Sequence, residues 1–132
     1  RSANDVLQEQ NANNVKSINI DNLNQIKNHA SKVYKLFVNN FIPNELGLIL
    51  NETWENKKKL AVNISNKNID IVYKKAIESG SLGGKISGAG GGGFLMLVVS
   101  PELKEKVRES LIDFPETKIA YNDKGSQTLY KE

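Results

Sequence analysis

Residues 83–99 read GGKISGAGGGGFLMLVV, and this stretch decides how the 132-residue chain folds. Seven of the ten glycines of the chain lie in its first eleven positions, directly before a run of six apolar residues. Glycine loses more backbone entropy on ordering than any other residue, so a glycine cluster beside a core strand indicates positive φ angles or a close backbone approach. The stretch predicts a glycine-rich turn between an entering segment, Leu82 to Ser87, and a buried strand, Phe94 to Val99.

Three well-known glycine-rich loops do not match this turn. A Walker loop requires Gly-Lys-Ser or Gly-Lys-Thr at a helix start, whereas Gly84-Lys85 is followed by Ile86. Gly88, Gly90 and Gly93 have the dinucleotide-binding spacing, but that motif precedes a helix and here a strand is predicted. The His-Arg-Asp and Asp-Phe-Gly motifs of protein kinases are also missing from the sequence. Two interpretations remain, a turn whose backbone N–H groups face an anion and a flexible linker.

The segments around the turn have the periodicity of helices and strands. Three amphipathic helices are predicted before it, near residues 21–41, 45–60 and 68–79, and the first of them has an apolar stripe of Leu23, Ile26, Ala30, Val33, Phe37 and Phe41. A less regular helix is predicted near the start of the chain. Ser100-Pro101 predicts a helix start after the strand, and residues 118–122 and 127–130 predict two short terminal strands. These elements predict an α+β fold, with an antiparallel sheet covered by helices on one face.

Composition excludes several classes of protein and site. With 39% hydrophobic and 25% charged residues, the chain is predicted to form one globular domain over residues 1–132. The absence of cysteine and the single histidine, His29, exclude thiolate and multi-histidine metal sites. His29 is expected at the surface or partly packed. The net charge of +3 comes from basic residues spread along the chain, and the longest apolar run has six residues, so neither nucleic-acid binding nor membrane insertion is predicted.

The run from Lys85 to Gly93 resembles the third, C-terminal motif of the GHMP kinases, a superfamily named for galactokinase, homoserine kinase, mevalonate kinase and phosphomevalonate kinase. Further matches to its sugar-kinase branch lie at Trp54–Leu60, Ile64-Ser65, Ile69-Asp70 and Gly125-Ser126. The resemblance implies the ferredoxin-like topology of the GHMP C-terminal domain. It also implies that the N-terminal domain, which carries the main nucleotide loop and the catalytic acidic residue, is absent from this chain.

The same resemblance implies a function for the parent protein. That protein is expected to be a cytoplasmic, ATP-dependent kinase that phosphorylates a sugar, heptose 7-phosphate, for bacterial surface polysaccharide. Its partners are the sugar, ATP and its own N-terminal domain, which mainly binds ATP and Mg²⁺. The chain alone is expected to lack activity and to self-associate through a sheet edge or through the surface that normally faces the N-terminal domain. The alternative that remains open is a stand-alone ferredoxin-like module that binds a small anion.

The candidate site residues follow from the motif and from charge. The turn, expected to border ATP phosphates and substrate, consists of Ser87, Gly88, Ala89, Gly90, Gly91, Gly92 and Gly93. Lys85 is a candidate phosphate contact, and Lys57 and Lys58 are candidate contacts to a sugar phosphate. Trp54 is expected in the core, although an aromatic face beside these lysines also suits a sugar clamp. No catalytic or metal-binding residue is predicted, and Asp70 is expected to interact with a helix N-terminus.

Overall fold

The computed structural model describes residues 3–13 and 17–120 of the chain. Four helices precede the glycine turn, two antiparallel strands flank it, and a short helix follows. The elements are α1 (Ala3–Asn13), α2 (Ser17–Val38), α3 (Pro43–Lys58), α4 (Lys67–Glu78), β1 (Ser81–Ser87), β2 (Phe94–Val99), a 3₁₀ turn (Pro101–Leu103) and α5 (Lys104–Ser110). The α+β class is therefore confirmed, and no helix in these two ranges is long and apolar enough to cross a membrane.

Helix α2 differs from its prediction in both its start and its buried face. It begins at Ser17, before Asp21, and the Asn19 side chain donates to the carbonyl oxygens of Asn13 (2.8 Å) and Leu60 (3.4 Å). Polar contacts thus stabilise its first turns, where apolar periodicity carries no signal. The expected stripe is also partly wrong: Ala30, Phe37 and Phe41 are exposed, whereas Asn19, Asn22, His29 and Leu36 are buried.

His29 explains why the buried face of α2 is rotated from the predicted stripe. Its Nδ1 lies 2.9 Å from the Thr53 hydroxyl and its Nε2 lies 3.2 Å from the Glu52 carboxylate, both on α3. A buried polar ring requires such partners, so α2 turns this residue towards α3. The expectation of a surface or partly packed histidine is therefore wrong. Near the end of α2, Phe37 contacts Phe41, which lies beyond the last helical residue, Val38, with ring centroids 4.9 Å apart.

Helix α3 and strand β1 pack at unusually short distance because glycine occupies both sides of the contact. A Cβ on Gly47 would lie 2.6 Å from the Leu82 carbonyl oxygen, and a Cβ on Gly83 would overlap the Gly47 carbonyl. The strand is irregular at this point, with a register shift between Ser81 and Gly83. The first glycine of the run, Gly83, thus belongs to the helix–strand contact rather than to the turn, while Gly84 lies within β1 against the Met96 carbonyl of β2.

The sheet in the described part of the chain has two strands, β1 and β2. They pair antiparallel, with Ser87 opposite Phe94 at the turn and Ser81 opposite Val99 at the far end. Strand β2 is not buried as predicted: Phe94 is 67% exposed, because the helices pack mainly on β1. Lys118–Ala120 form no strand, and the rest of the two predicted terminal strands lies outside the described residues.

The core lies between α1, α3, α4 and β1. Its buried members are Val6, Trp54, Leu60, Ala61, Ile64, Tyr73 and Ile86. Trp54 is fully buried, which confirms its prediction as a core residue. In α4, Ala76 is buried as predicted but Ile77 is 38% exposed, since Tyr73 and Ala76 take the inner face. Gly80 follows the C-cap residue of α4 and has φ +112°, the positive φ expected of a glycine that terminates a helix.

The Tyr73 hydroxyl connects three elements within this core. It lies 2.6 Å from Asn51 Oδ1 on α3 and 3.2 Å from the Gly84 carbonyl oxygen on β1. Burial raises the pKa of Tyr73 to about 12, because the phenolate would lose its hydration, and the Glu55 carboxylate acts in the same direction. The neutral hydroxyl is therefore the form that the fold stabilises.

We predict that Gly47→Ala destabilises the domain although alanine is the better helix former. The new Cβ would meet the β1 backbone at 2.6 Å, so α3 must move away from the strand. The expected loss of unfolding free energy is about 1–3 kcal/mol, measured by thermal denaturation with circular dichroism. Asn28→Ala, an exposed position within α2, is the control and is expected to keep or slightly raise stability. Equal stability of the two variants would contradict the proposed close contact.

We also predict an alkaline loss of stability that depends on Tyr73. Between pH 10 and about 12 the unfolded chain releases the phenolic proton while the folded chain keeps it, so the free energy of unfolding falls as the pH rises. Tyr73→Phe should remove this part of the fall, and it should lose about 1 kcal/mol at neutral pH because the partners of the hydroxyl are left unpaired. Tyr34→Phe, at a residue 70% exposed, is the control. Urea unfolding at several pH values measures both, and parallel pH profiles for Tyr73→Phe and the parent chain would refute the prediction.

Candidate functional site

The turn from Ser87 to Gly93 has a backbone conformation that requires glycine. Its φ angles are +106° at Gly88, +114° at Gly90, +74° at Gly91 and +108° at Gly93. Residues with side chains rarely adopt these values. Gly90 and Gly91 also lie against the backbone of the α3–α4 linker, which consists of residues 59–66. A Cβ on Gly90 would come 2.9 Å from Ile64 in this linker. Glycine is thus needed here both for conformation and for space.

Four hydrogen bonds hold the turn, and their partners lie on α1, on α3 and in the segment between α3 and α4. One of them uses a backbone donor of the turn, and the other three bind its carbonyl oxygens. They are Gly91 N–H to the Ile64 carbonyl (2.8 Å), Gln10 Nε2 to the Ala89 carbonyl (3.0 Å), Asn66 Nδ2 to the Gly91 carbonyl (3.2 Å) and Lys57 Nζ to the Gly88 carbonyl. With its backbone anchored at four places, the segment is an ordered part of the domain, and the flexible-linker interpretation is wrong.

The α3–α4 linker that supports the turn is itself held by α1. The Glu9 carboxylate accepts hydrogen bonds from Val62 N–H (3.2 Å) and from the Asn63 side chain (2.9 Å). Asn13 donates to the Leu60 carbonyl oxygen (3.3 Å). Helix α1 therefore positions the linker, and the linker positions the turn.

Asn66 has two roles at the end of this linker. Its Oδ1 accepts from Ile69 N–H (3.0 Å) as the N-cap of α4, while its Nδ2 donates to the turn. Asp70, in the first turn of α4, accepts a hydrogen bond from the Ser65 hydroxyl (2.7 Å). Its place agrees with the expected interaction with a helix N-terminus, and α4 begins directly beside the glycine turn.

A groove of about 490 Å³ runs along the turn. Its lining consists of Val6, Asn63, Ser65, Asn66 and the whole turn from Ser87 to Gly93. Gly91 N–H is bound to Ile64, but the N–H groups of Ala89, Gly90 and Gly92 have no recorded acceptor within the described ranges. The groove thus offers hydroxyl, amide and backbone donors, and no carboxylate or imidazole lines it. Such a surface is suited to binding an anion and lacks a group for proton transfer.

The three candidate lysines have different surroundings. Lys57 donates to the Gly88 carbonyl, and burial together with the nearby Lys85 ammonium lowers the pKa of Lys57. Lys58 instead forms an ion pair with Glu55 (2.7 Å) and makes no recorded contact with the turn. Lys57 and Lys85 therefore form one positively charged region next to the turn, although neither lines the groove itself. Trp54 is fully buried, so the aromatic sugar-clamp interpretation is wrong.

Gln10 and Asn66 contact the turn but are not among the predicted site residues. Asn66 has a detectable signal, because an asparagine directly before a helical pattern is a typical N-cap. Gln10 has no local signal for such a role, since it bonds to a residue 79 positions away. No group of three or more potential metal-ligating side chains occurs within residues 3–13 and 17–120.

The chain matches a protein-family model and is similar to a bacterial kinase. The family model described as the C-terminal domain of the GHMP kinases matches residues 41–116, which include α3, the linker, α4 and the turn. The chain is also 39% identical over 66 residues to D-glycero-alpha-D-manno-heptose 7-phosphate kinase from Campylobacter jejuni subsp. jejuni serotype O:2. That similarity covers 50% of this chain and 20% of the relative, so the aligned part spans about one fifth of the length of the relative.

We predict that two neighbouring glycines of the turn respond differently to alanine. Gly90→Ala places a Cβ 2.9 Å from Ile64 on a backbone with φ +114°, whereas a Cβ on Gly92 meets nothing within 4 Å. Gly90→Ala should therefore lower the unfolding free energy by about 1–3 kcal/mol. Gly92→Ala should change it by less than about 0.5 kcal/mol. Urea unfolding followed by the fluorescence of Trp54 measures both, and equal losses for the two variants would contradict the described turn.

Proposed function

The chain belongs to the family of GHMP kinase C-terminal domains, and from this premise we propose that it is the C-terminal part of an ATP-dependent sugar kinase. The observation that carries the proposal is the anchored glycine turn, in which the N–H groups of Ala89, Gly90 and Gly92 lie along a groove and find no acceptor among residues 3–13 and 17–120. Phosphoryl transfer depends mainly on positioning and on electrostatic stabilisation of phosphate oxygens. Backbone donors held in a fixed turn supply such positioning.

The chemistry of the groove supports a binding role rather than a catalytic one. A kinase also needs a group that orients or deprotonates the attacking hydroxyl, and no titratable side chain lines this groove. Magnesium prefers carboxylate and phosphate oxygens, so the groove lining does not fit a Mg²⁺ site and no step is assigned to the ion here. We therefore propose that catalysis and Mg²⁺ binding take place in an N-terminal domain, and that the present chain borders the substrates.

Positive charge next to the turn supports an anionic ligand. Lys85 lies close enough to Lys57 that its ammonium group helps to lower the pKa of Lys57. Neither lysine forms an ion pair within the described part of the chain. Their field would attract phosphate groups to the turn. Bound ATP would supply the phosphoryl group that is transferred, and the donors of the turn would hold phosphate oxygens in place.

For the acceptor we propose heptose 7-phosphate, because the similar Campylobacter jejuni protein is named for that substrate. The 7-phosphate makes this acceptor an anion as well, which suits a groove of hydrogen-bond donors. A cytoplasmic location and self-association of the separate domain accompany this proposal as predictions.

The kinase proposal is tested by two ATP-consumption assays. One assay uses this chain alone. The other uses the longer product, the protein in which the proposed N-terminal domain precedes this chain. Both assays are run with heptose 7-phosphate and with the unphosphorylated heptose. We expect turnover from the longer product with heptose 7-phosphate and none from the chain alone. Gly90→Ala in the longer product should lower kcat/KM about tenfold or more, since the donors of the turn would be displaced. Asn28→Ala, at an exposed position on α2 away from the groove, should leave it within about threefold.

Each part of the proposal has its own contradicting result. Turnover by the chain alone would show that the catalytic group lies within these residues. Equal rates with heptose and heptose 7-phosphate would exclude a role for the 7-phosphate. A longer product that phosphorylates no sugar would overturn the kinase function itself.

A further inference from the structure

We propose that Gln10, Lys57 and Asn66 are positioning residues that set the direction of three N–H groups of the turn, those of Ala89, Gly90 and Gly92, which have no acceptor within the described residues. The inference rests on the proposed function, because it assigns to these side chains the preparation of the turn for a phosphate ligand. Gln10 and Lys57 need not touch the ligand, whereas Asn66 also lines the groove. Each acts through the peptide unit whose carbonyl it binds.

The anchored carbonyls and the free N–H groups belong to the same peptide units. Lys57 binds the Gly88 carbonyl, and that peptide unit carries the N–H of Ala89. Gln10 binds the Ala89 carbonyl, whose peptide unit carries the N–H of Gly90. In the same way Asn66 binds the Gly91 carbonyl, and its peptide unit carries the N–H of Gly92. Each of the three carbonyls that a side chain holds thus belongs to a peptide unit whose N–H has no acceptor within the described residues.

The planarity of the peptide bond connects these two observations. None of the described peptide bonds is cis, and in a trans peptide unit the C=O and N–H bonds point in opposite directions. A side chain that binds the oxygen on one side therefore directs the hydrogen to the other side. Gln10 and Lys57 do not line the groove, whereas the peptide units that they hold do.

The fourth peptide unit is held in the opposite sense. Its N–H, that of Gly91, donates to the Ile64 carbonyl oxygen (2.8 Å), so its own carbonyl oxygen, that of Gly90, points away from the linker. Among the four peptide units from Gly88 to Gly92, three are therefore held by oxygen and one is held by nitrogen. Contacts from α1, α3 and the N-cap of α4 determine this pattern, not the sequence of the turn itself.

Glycine makes such anchors necessary. Glycine adopts positive and negative φ about equally well, so an unanchored glycine turn can rotate its peptide units. A rotated unit would present a carbonyl oxygen to the groove in place of an N–H, and that oxygen would repel an anion. Side-chain donors on the carbonyls select the orientation with N–H groups towards the groove. Lys57 adds a charge to this effect, because a charge-assisted hydrogen bond to a carbonyl is stronger than a neutral one.

The ligand class is a phosphate oxyanion, either the polyphosphate of a nucleotide or the monoester of a sugar phosphate. Inorganic tripolyphosphate and glucose 6-phosphate serve as probes of these two sources. The experiment follows the backbone amides of the ¹⁵N-labelled chain by NMR during titration with each probe. We expect the amide signals of Ala89, Gly90 and Gly92 to move with at least one probe, and the signal of Gly91 to move least.

The anchor variants then test the assignment of each side chain to one amide. The response of each amide is taken as its chemical-shift change at saturation with the probe, which does not depend on affinity. Lys57→Met should reduce the response of Ala89, Gln10→Ala that of Gly90, and Asn66→Ala that of Gly92. Binding should weaken about two- to tenfold in each case, the range that one lost hydrogen bond produces. The matched controls are Lys58→Met, which removes the same charge one residue away, and Gln8→Ala, an exposed position on α1. Both controls should bind as the parent chain does.

A variant that reduces the response of only one amide identifies its side chain as a positioning residue rather than as one that stabilises the whole domain. An anchor that merely stabilises the domain would weaken all three responses together, and such a result would overturn the inference. Parent-like responses in all three anchor variants would overturn it as well, while leaving the anion-binding turn of the proposed function intact. Failure of the parent chain to respond to either probe would overturn the inference, whereas the kinase assays of the longer product decide the proposed function independently.

Discussion

The close contact between α3 and β1 is the constraint on which the rest of the structure depends. Gly47 on the helix and Gly83 on the strand have no side chains to separate the two backbones. The strand leads directly into the glycine turn, and the helix leads into the linker that supports it. Because both elements start from one fixed contact, Ile64 and Gly91 meet at hydrogen-bonding distance. Any increase in the helix–strand distance would separate the turn from its support.

The glycine run thus serves two physical purposes that its sequence does not distinguish. Gly83 and Gly84 allow two backbones to approach, while Gly88, Gly90, Gly91 and Gly93 allow positive φ in the turn. Polar side chains from distant parts of the chain then complete the turn: α1 contributes Gln10, α3 contributes Lys57, and the N-cap of α4 contributes Asn66. A site made of backbone donors has few chemical features of its own, so its properties depend on what holds it. This dependence is the basis of the positioning role proposed for these three residues.

Local sequence signals predicted the parts of the fold that depend on nearby residues. The turn between residues 87 and 93, the following strand, the helix start at Pro101 and the stop at Gly80 are confirmed, since each depends on conformational preferences within a few residues. Predictions that depend on packing partners were less accurate. Strand β2 is half exposed, Phe37 and Phe41 are exposed, and His29 is buried. In α2 the apolar period alone suggested one inner face, whereas the hydrogen bonds of His29 to α3 selected another.

The amino-acid sequence by itself determined that residues 83–99 form a glycine turn and a strand, and its motif indicated the family that the comparison with known proteins then established. Those properties follow from steric preferences and from residue types at fixed spacing, which are local. Only the tertiary structure decided which lysine reaches the turn, that Gln10 binds Ala89 across 79 positions, and which N–H groups lack an acceptor. The physical reason is that hydrogen bonds between distant elements depend on how helices and strands pack, and packing is a property of the whole fold.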